Sequence, residues 1–351
     1  MWYWYIIYIV LAVLIVYLSI KLANYVDALD KKTTISGAFI GGVMLAAVTS
    51  LPELFTTISA VLIVKEPELV IGNIIGSDLF NLVVIGLSIS LFIIKWHRAK
   101  IGVIHVKELI ITLVITLLVI YSLVSPYQPQ VGPINLLVIP ILALYILSIK
   151  IQPKDSEKDE DDEGDEIPKG VLALPVKTIV IRFIISAILL IIVSIGLTYA
   201  TDKVADALNL GATVAGSIFL AIATSLPELI STITLCKKGN FDAGFGNIVG
   251  SNNFNYFILF FAEMISWNKD KGYNGSVLVY HSNEAFLLAL FLVLSIVLSI
   301  GVILIHRYRT PKLLENKGNL KLFNIISIIL GVLIVLSYIL YEALAPFITI
   351  F

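Results

Sequence analysis

Two identical hexapeptides carry the side chains whose types suggest chemistry. The sequence TSLPEL occurs at residues 49–54 and again at residues 224–229, and each copy contains two hydroxyls and one carboxylate within an apolar segment. Residues three, four and seven positions apart share one face of a helix. That face carries Ala46, Thr49, Ser50 and Glu53 in the first copy and Ala221, Thr224, Ser225 and Glu228 in the second. Each copy is therefore predicted to present a cluster of oxygen atoms.

A proline interrupts each of these helices at the same place. Pro52 and Pro227 have no backbone N–H, so the carbonyls four residues earlier, at Val48 and Ala223, lose their helical partners. Prolines are common in membrane helices, so it is their position beside the hydroxyls and the carboxylate that gives them meaning. The freed carbonyls add further oxygen atoms to the predicted cluster.

A second duplicated segment continues the polar pattern. GNIIGSDLFN at residues 72–81 aligns with GNIVGSNNFN at residues 246–255. Every fourth residue forms a polar stripe, which is Asn73, Ser77 and Asn81 in the first copy and Asn247, Ser251 and Asn255 in the second. We expect Asn73 and Asn247 to bond between helices rather than to bind an ion directly. Glycines such as Gly72 predict close helix packing.

The chemistry that these groups could perform is the binding of hard cations. Oxygen ligands without nitrogen or sulfur suit Na⁺, Ca²⁺ or Mg²⁺. An ionised glutamate at the bilayer centre costs at least about 2.5–3.5 kcal/mol, so Glu53 and Glu228 need a partner or a function. No Lys or Arg lies near them in either motif helix. Together the two carboxylates would balance one divalent or two monovalent ions, and competition between such ions for overlapping positions predicts exchange.

The surrounding elements are predicted to be membrane helices. Of the 351 residues, 58% are hydrophobic and only 14% are charged, which is typical of a membrane protein. The apolar runs are long enough to cross a bilayer core of roughly 30 Å as helices. The predicted spans lie near residues 2–23, 34–64, 68–94, 106–125, 132–151, 176–200, 211–236, 242–266, 283–305 and 321–345. The predicted fold class is therefore all-α integral membrane, with ten transmembrane helices in a lipid bilayer.

The predicted spans divide into two halves of five. Residues 1–152 and 171–351 each contain one copy of both motifs, and the acidic segment 153–170 between them cannot form a core. Because each half has an odd number of spans, the second copy enters the membrane from the opposite side, which predicts an inverted repeat. Basic residues concentrate in the loops of one side, which predicts a cell-membrane protein with both termini outside and a cytoplasmic linker.

Other classes of protein fit the sequence less well. A net charge of −1 without a basic stripe argues against nucleic-acid binding, and the single cysteine, Cys236, cannot form an internal disulfide. The chain has no HExxH motif, no paired catalytic aspartates and no Ser/His arrangement, so neither an enzyme nor a cofactor is predicted. Residues 159–164 are similar to the start of a Ca²⁺-binding loop, but Gly170 stands where that loop needs a bidentate Glu, which favours a solvated linker.

The paired TSLPE and GNxxGS segments resemble the two α-repeats of the calcium/cation antiporter superfamily, especially those of prokaryotic sodium/calcium exchangers. The resemblance covers nearly the whole predicted layout. It implies a monomeric antiporter that exchanges Ca²⁺ for Na⁺ by alternating access, electrogenically if three Na⁺ replace one Ca²⁺. The ion ligands it implies are the side chains of Glu53, Glu228, Thr49, Ser50, Thr224, Ser225, Ser77, Ser251, Asn81 and Asn255 and the backbone carbonyls of Ala46 and Ala221.

Three departures from the family pattern bear on these expectations. Val48 and Ala223 stand where the family usually has Gly, which stiffens both segments. Asp78 replaces the Asn of the GSN triplet and lies about 100° around the helix from Ser77. The spacing alone does not decide whether Asp78 reaches the ions. Asn255 stands where members that co-transport K⁺ carry Asp, which argues against K⁺ dependence.

Two alternatives remain at the level of the sequence. The GNxxE motif of proton-coupled members is absent, which favours Na⁺, yet two buried glutamates could also carry protons in a Ca²⁺ or Mg²⁺/H⁺ antiporter of the same fold. An ion channel could use similar oxygen-lined helices, although an inverted repeat with broken helices is more typical of alternating access. Oxygen ligands alone do not distinguish Ca²⁺, Mg²⁺ and Mn²⁺.

Overall fold

Long apolar helices make up nearly all of the structure. The computed structural model describes residues 2–32, 49–127, 129–131, 134–151, 168–266, 276–279, 283–308 and 317–348. Ala46, Val48 and most of the acidic linker lie outside these described residues. Within them, the only strands are β1 (Gln130–Val131) and β2 (Ile134–Asn135), which pair antiparallel.

The helices before the linker include the first motif copy. They are α1 (Tyr3–Lys32), α2 (Leu51–Ser59), α3 (Pro67–Leu91), α4 (Ile93–Trp96), α5 (Val103–Val124) and α6 (Val138–Lys150). A π-helical turn, Ala60–Val64, extends α2 and ends at Lys65, whose φ of 66° lies in the left-handed region. The TSLPEL segment therefore leads into α2, and α3 carries the GNxxGS segment.

The helices after the linker include the second motif copy. They are α7 (Lys169–Leu172), α8 (Val176–Leu208), α9 (Ala212–Ala215), α10 (Ala221–Thr224), α11 (Leu226–Lys238), α12 (Phe241–Ile265), α13 (Asn283–Tyr308) and α14 (Lys317–Ile348). A π-helical turn, Gly216–Leu220, joins α9 to α10, and a 3₁₀ turn, Val277–Val279, precedes α13. In this copy a π-helical turn precedes the hexapeptide, and in the first copy one follows it, where the residues before Thr49 lie outside the described part of the chain.

Several helices are long and apolar enough to cross a membrane. Six such helices are Tyr3–Tyr25, Pro67–Leu91, Val103–Val124, Val176–Leu208, Asn283–Arg307 and Asn319–Phe347. The bent pair Ala212–Thr224 and Leu226–Lys238 would make a seventh if it counts as one span. These counts cover the described residues and are lower than the ten predicted spans. Part of the predicted span 34–64 lies outside those residues, Val138–Lys150 is short, and the motif asparagines lower the hydropathy of α12.

Burial separates an inner helix from outer ones. In the apolar stretch of α3 78% of the residues are buried, against 28% in that of α1 and 22% in that of α8. Because α1 and α8 pack against each other and leave their apolar side chains exposed, these two helices have the character of lipid-facing elements. A Cβ placed on Gly72 of α3 would lie 2.2 Å from the Thr213 carbonyl oxygen, so α3 and α9 approach closely. The GNxxGS segment of the first half therefore packs directly on the helix that leads to the second hexapeptide.

Candidate ion-binding site

In both copies a helix begins directly after the serine of the hexapeptide. Ser225 separates α10 from α11, and the two helices are bent by 52°. Ser225 has a φ of −90° and a ψ of 5°, which nearly equal the −91° and 11° of Ser50, the residue that precedes α2. Both serines thus lie in the sparsely allowed bridge region between helix and strand. The prolines then occupy the first turn of the following helix, where a missing N–H leaves no helical bond unmade.

The break places a glutamate in the first turn of each new helix. Glu53 lies in the first turn of α2 and Glu228 in the first turn of α11. The N-terminal end of a helix carries a partial positive charge that favours a carboxylate. The local fold therefore stabilises an anion at both positions without a basic side chain.

Glu53 is bonded by the second motif copy. Its side chain is only 2% exposed, and its Oε1 accepts a hydrogen bond from Ser225 Oγ at 3.3 Å. The Thr224 hydroxyl interacts with the same carboxylate. Its other oxygen, Oε2, has no hydrogen-bond partner among the described residues. The carboxylate of the first half is thus held by hydroxyls of the second.

Glu228 shows the reciprocal arrangement. It is fully buried, its Oε1 accepts from Ser251 Oγ at 3.3 Å, and the hydroxyl of Thr49 in the first copy interacts with it. Its Oε2 also lacks a partner in the described part of the chain. The ion pairs found there involve His105 and Lys203, and none involves Glu53 or Glu228. Two buried carboxylates therefore share a site with hydroxyls and without a basic counter-charge.

The two predicted amide ligands bond across the halves. Asn81 Nδ2 donates to Asn252 Oδ1 at 2.9 Å, and Asn255 Nδ2 donates to Asp78 Oδ1 at 2.8 Å. In both amides, which are 1% exposed, the oxygen Oδ1 has no partner among the described residues. Both amide nitrogens therefore donate hydrogen bonds within the protein, while both amide oxygens remain without a partner in the described part of the chain.

Asn73 and Asn247 bond between helices, as the sequence predicts. Asn73 Nδ2 donates to Thr56 Oγ1 at 3.1 Å, and Asn247 Nδ2 donates to the Ser231 and Thr232 hydroxyls at 2.9 Å each. Each contact ties a GNxxGS helix to the hexapeptide helix of its own half. These asparagines therefore hold the motif helices together.

The remaining predicted ligands differ in how their oxygens are used. The Ala221 carbonyl accepts from the Ser225 backbone N–H at 3.0 Å, whereas the shortest acceptor of the Thr224 hydroxyl is the Leu220 carbonyl at 2.9 Å. The hydroxyl oxygens of Ser50 and Ser77 are buried without a partner among the described residues. Ala46 lies outside those residues. The predicted ligand set thus contains six unpaired buried oxygens, on Glu53, Glu228, Ser50, Ser77, Asn81 and Asn255.

The chemistry of this donor set suits a hard cation. Buried polar atoms in proteins are nearly always hydrogen-bonded, so the six unpaired oxygens of the predicted ligand set are oxygens that a cation could use. Oxygen donors suit Na⁺, Ca²⁺ and Mg²⁺. In the described part of the chain, no three His, Cys, Asp or Glu side chains lie close enough to hold one metal ion. A bound cation would therefore rely on a mixed set of carboxylate, hydroxyl, amide and carbonyl oxygens.

Sequence reasoning left two buried side chains without a role. Asp78 is fully buried and lies within electrostatic range of Glu53, and Asn252 is 1% exposed. They occupy equivalent positions in the two GNxxGS segments, which is a signal that the alignment of the copies contains. Their hydrogen bonds to Asn255 and Asn81 depend on which helices pack together, so the spacing of residues along the chain does not predict them.

Glu263 is a buried carboxylate of a different kind. It accepts from the backbone N–H groups of Asn135 at 2.9 Å, Val277 at 2.7 Å and Leu278 at 3.4 Å. Both carboxylate oxygens are therefore satisfied by the protein itself. This glutamate joins β2 to the 3₁₀ turn before α13 and serves the fold rather than an ion.

Comparison with known proteins gives one family and a common fold. The sequence pattern of the family described as "Sodium/calcium exchanger protein" matches residues 3–152 and 178–345. The inner membrane protein YrbG of Escherichia coli (strain K12) is 27% identical over 253 residues, which cover 70% of this chain and 74% of that protein.

Solved structures of two exchangers share the architecture. The H⁺/Ca²⁺ exchanger CAX superposes with a TM-score of 0.64 at 14% identity, covering 97% of this chain and 90% of that one. The sodium-calcium exchanger NCX_Mj superposes with a TM-score of 0.54 at 21% identity, covering 98% of this chain and 99% of that one. At such identities the likeness shows the membrane fold.

Proposed function

Because the chain belongs to the sodium/calcium exchanger protein family, we propose that it is a secondary active antiporter that exchanges Ca²⁺ for Na⁺ across the membrane. The observation that carries this proposal is the crosswise bonding of the two buried glutamates. Ser225 of the second copy bonds Glu53 of the first, so that both copies contribute to one site. The protein is a transporter rather than an enzyme and uses no cofactor, since the cations are its substrates.

Charge balance explains why one ion would exchange for another. Two ionised carboxylates are neutralised by one Ca²⁺ or by two Na⁺, and a third Na⁺ makes the loaded site positive. An empty site with two buried negative charges is costly to move through a low-dielectric membrane. Alternating access therefore proceeds only with cations bound, and a stoichiometry of three Na⁺ makes the exchange electrogenic.

The proposed architecture has ten transmembrane helices in two inverted five-helix halves. Residues 1–152 form the first half, residues 171–351 form the second, and residues 153–170 form an acidic cytoplasmic linker, with both termini outside and a monomeric protein. The likeness to NCX_Mj over 98% of this chain supports this layout. So does the reciprocal bonding of the two motif copies.

The proposed ion ligands combine carboxylate, hydroxyl, amide and carbonyl oxygens. They are Glu53, Glu228, Thr49, Ser50, Thr224, Ser225, Ser77, Ser251, Asn81, Asn255, Ala46 and Ala221. The unpaired oxygens on six of them support this set. The Ala221 carbonyl already accepts the Ser225 backbone N–H and would be the weakest of the ligands described.

A second candidate is exchange of Ca²⁺ or Mg²⁺ for H⁺ in the same fold. The observation that favours it is the TM-score of 0.64 with the H⁺/Ca²⁺ exchanger CAX, which exceeds the 0.54 with NCX_Mj. Two buried carboxylates could bind protons as well as Na⁺. Against it stands the absence of the GNxxE motif from the sequence.

The test is ⁴⁵Ca²⁺ uptake into liposomes that contain the purified protein. We expect uptake when Na⁺ is loaded inside and removed outside, and none when only a pH gradient is imposed. Uptake driven by the pH gradient alone would support the second candidate and contradict the first. Uptake that needs no counter-ion on the far side would indicate a channel. Unlabelled Mg²⁺ as a competitor would then report divalent selectivity.

A further inference from the structure

The residue that follows the motif serine contacts the opposite half. Asp78 in α3 and Asn252 in α12 are equivalent positions of the duplicated segment, as are Asn81 and Asn255. Asn255 donates to Asp78 at 2.8 Å, and Asn81 donates to Asn252 at 2.9 Å. Each amide of the predicted ligand set thus donates to the residue that follows the motif serine in the other copy.

Chemistry leaves one orientation for the Asn252–Asn81 pair. Asn252 Nδ2 lies 3.0 Å from the backbone carbonyl of Asp78, and a carbonyl only accepts, so the nitrogen of Asn252 must face it. Its oxygen then faces Asn81, which must present its own nitrogen. Asn255 Nδ2 faces Asp78 Oδ1, a carboxyl oxygen that accepts the hydrogen bond. The backbone carbonyl of Asp78 therefore sets the orientation of the Asn252–Asn81 pair.

The consequence concerns the atoms that remain. With their nitrogens bonded, Asn81 and Asn255 each keep a buried oxygen without a partner among the described residues. A cation is attracted by an amide oxygen and repelled by an amide N–H, so the reverse orientation would weaken its binding. An amide side chain can present either its N–H or its oxygen. The bonds to Asp78 and Asn252 leave only the oxygens of Asn255 and Asn81 for a cation.

We propose that Asp78 and Asn252 are positioning residues, which hold Asn255 and Asn81 with their carbonyl oxygens toward the transported cation. The inference rests on the proposed function, since it assigns a purpose to the unpaired oxygens. Asp78 acts through Asn255, to which its Oδ1 is bonded. Its Oδ2 is buried without a hydrogen-bond partner among the described residues, so direct contact of Asp78 with the cation is the alternative that the Asp78→Asn variant tests. In the described part of the chain, Asp78 does not join the two glutamates in a three-carboxylate metal site.

The test compares substitutions that keep or remove the acceptor. Asp78→Asn retains a side-chain oxygen for Asn255, and its new NH₂ group faces the region of the Tyr256 phenol, which interacts with Asp78. Asp78→Leu and Asn252→Leu keep the size and remove the acceptor. Loss of a residue that orients a metal ligand typically costs about 10–100-fold in affinity, so we expect that loss for both Leu variants and a change within about threefold for Asp78→Asn.

Two readouts separate positioning from folding. The half-saturating Ca²⁺ concentration is measured from the rise of the thermal unfolding temperature in detergent, and the KM for Ca²⁺ from uptake into liposomes. Asn253→Leu is the matched control, because Asn253 is buried in the same helix and accepts from Thr112 at 3.0 Å rather than from either amide. We expect it to lower the unfolding temperature and to leave the half-saturating Ca²⁺ concentration unchanged.

Each outcome decides the inference. Leu variants with the Ca²⁺ dependence of the wild type overturn it, and so does a wild-type protein whose unfolding temperature responds to neither Ca²⁺ nor Na⁺. An Asp78→Asn variant as weak as Asp78→Leu overturns it for Asp78, since the charge would then be what matters. A wild-type protein that binds Ca²⁺ but shows no counter-ion-driven uptake contradicts the antiport proposal, while the binding data still test the positioning role.

Discussion

The segments that begin at Ser50 and Ser225 correspond residue by residue. Both serines have nearly the same backbone angles, both precede a proline, and both lead to a buried first-turn glutamate. Hydroxyls of each copy reach the glutamate of the other. The two copies therefore share one scheme of hydrogen bonds, which is what a site built at the junction of two equivalent halves requires.

The copies differ in charge and in helix geometry. The position after the motif serine is an aspartate in the first copy and an asparagine in the second, although both accept an amide from the opposite helix. A π-helical turn follows the first hexapeptide, whereas α11 stays α-helical over Leu226–Lys238 after the second. In the proposed antiporter, the shared features are the ones that cation binding would need, and the differences are where the two halves could behave unequally.

The largest expected effect comes from removing the charge of either motif glutamate. Glu53→Gln and Glu228→Gln should each reduce ⁴⁵Ca²⁺ uptake by on the order of 100-fold or more, because Ca²⁺ affinity follows the number of charged ligands. Equal losses would show that the copies contribute equally. A loss confined to one variant would mean unequal roles, and uptake at wild-type rates in both would refute the site.

The next effect tests how the first half packs on the second copy. Gly72→Ala places a Cβ 2.2 Å from the Thr213 carbonyl oxygen and 3.0 Å from the Gly216 Cα. Overpacking between two backbones should lower the free energy of unfolding by about 3 kcal/mol, which thermal or denaturant unfolding in detergent would measure.

Gly301→Ala is the matched control for this packing experiment. Apart from the backbone of its own helix and its chain neighbours, no described atom lies within 4 Å of a Cβ at Gly301 in α13. Alanine favours a helix over glycine by up to about 1 kcal/mol, so this variant should be as stable as the wild type or more stable. Similar destabilisation by both alanines would show that α3 and α9 are not in close contact.

Glu263→Gln separates a structural carboxylate from the two in the motifs. The amide nitrogen of Gln cannot accept from the backbone N–H groups that Glu263 now binds, so unfolding should become easier by about 1–3 kcal/mol. The KM for Ca²⁺ in the liposome assay should stay at its wild-type value. An increase in KM as large as that of Glu53→Gln would show that Glu263 also serves the ions.

The smallest effect distinguishes the two motif serines. Ser225→Ala removes the hydrogen bond to Glu53 and should lower the stability without Ca²⁺ and Na⁺ by about 1 kcal/mol. Ser50→Ala removes an oxygen that has no partner among the described residues, so stability in the same buffer should not fall. Both should weaken Ca²⁺ binding. Equal destabilisation by the two alanines in ion-free buffer would contradict the difference.

Much of the fold and part of the site were predictable from the sequence. Long apolar runs predicted membrane helices, and the prolines predicted loosened motif helices, which agrees with the 52° bend at Ser225. The duplicated context of Glu53 and Glu228 predicted that both would be buried together with hydroxyls. These features are local, because hydropathy, helical spacing and the missing N–H of proline act within one segment.

The partners of these groups could not be predicted, because they depend on which helices are neighbours. Helical spacing left the access of Asp78 to the ions open, and its bond to Asn255 required the packing of α3 against α12. The three backbone donors around Glu263 come from loops whose course no periodicity specifies. The span count, too, rests on length and hydropathy, which undervalue a helix such as α12 that carries site asparagines.

The crosswise contacts have a consequence for biogenesis. Three polar side chains of the first half have hydrogen-bond partners that are synthesised much later. The partner of Glu53 lies 172 residues further along the chain, that of Asn81 171 residues and that of Asp78 177 residues. At a synthesis rate of about 5–20 residues per second, those partners leave the ribosome roughly 9–35 s later. During that interval the first half carries polar groups that lipid cannot satisfy. Its α3 helix must therefore remain shielded from lipid until the second half inserts, and ribosomes stalled before Ser225 should yield a first half accessible to water-soluble labels at Asp78.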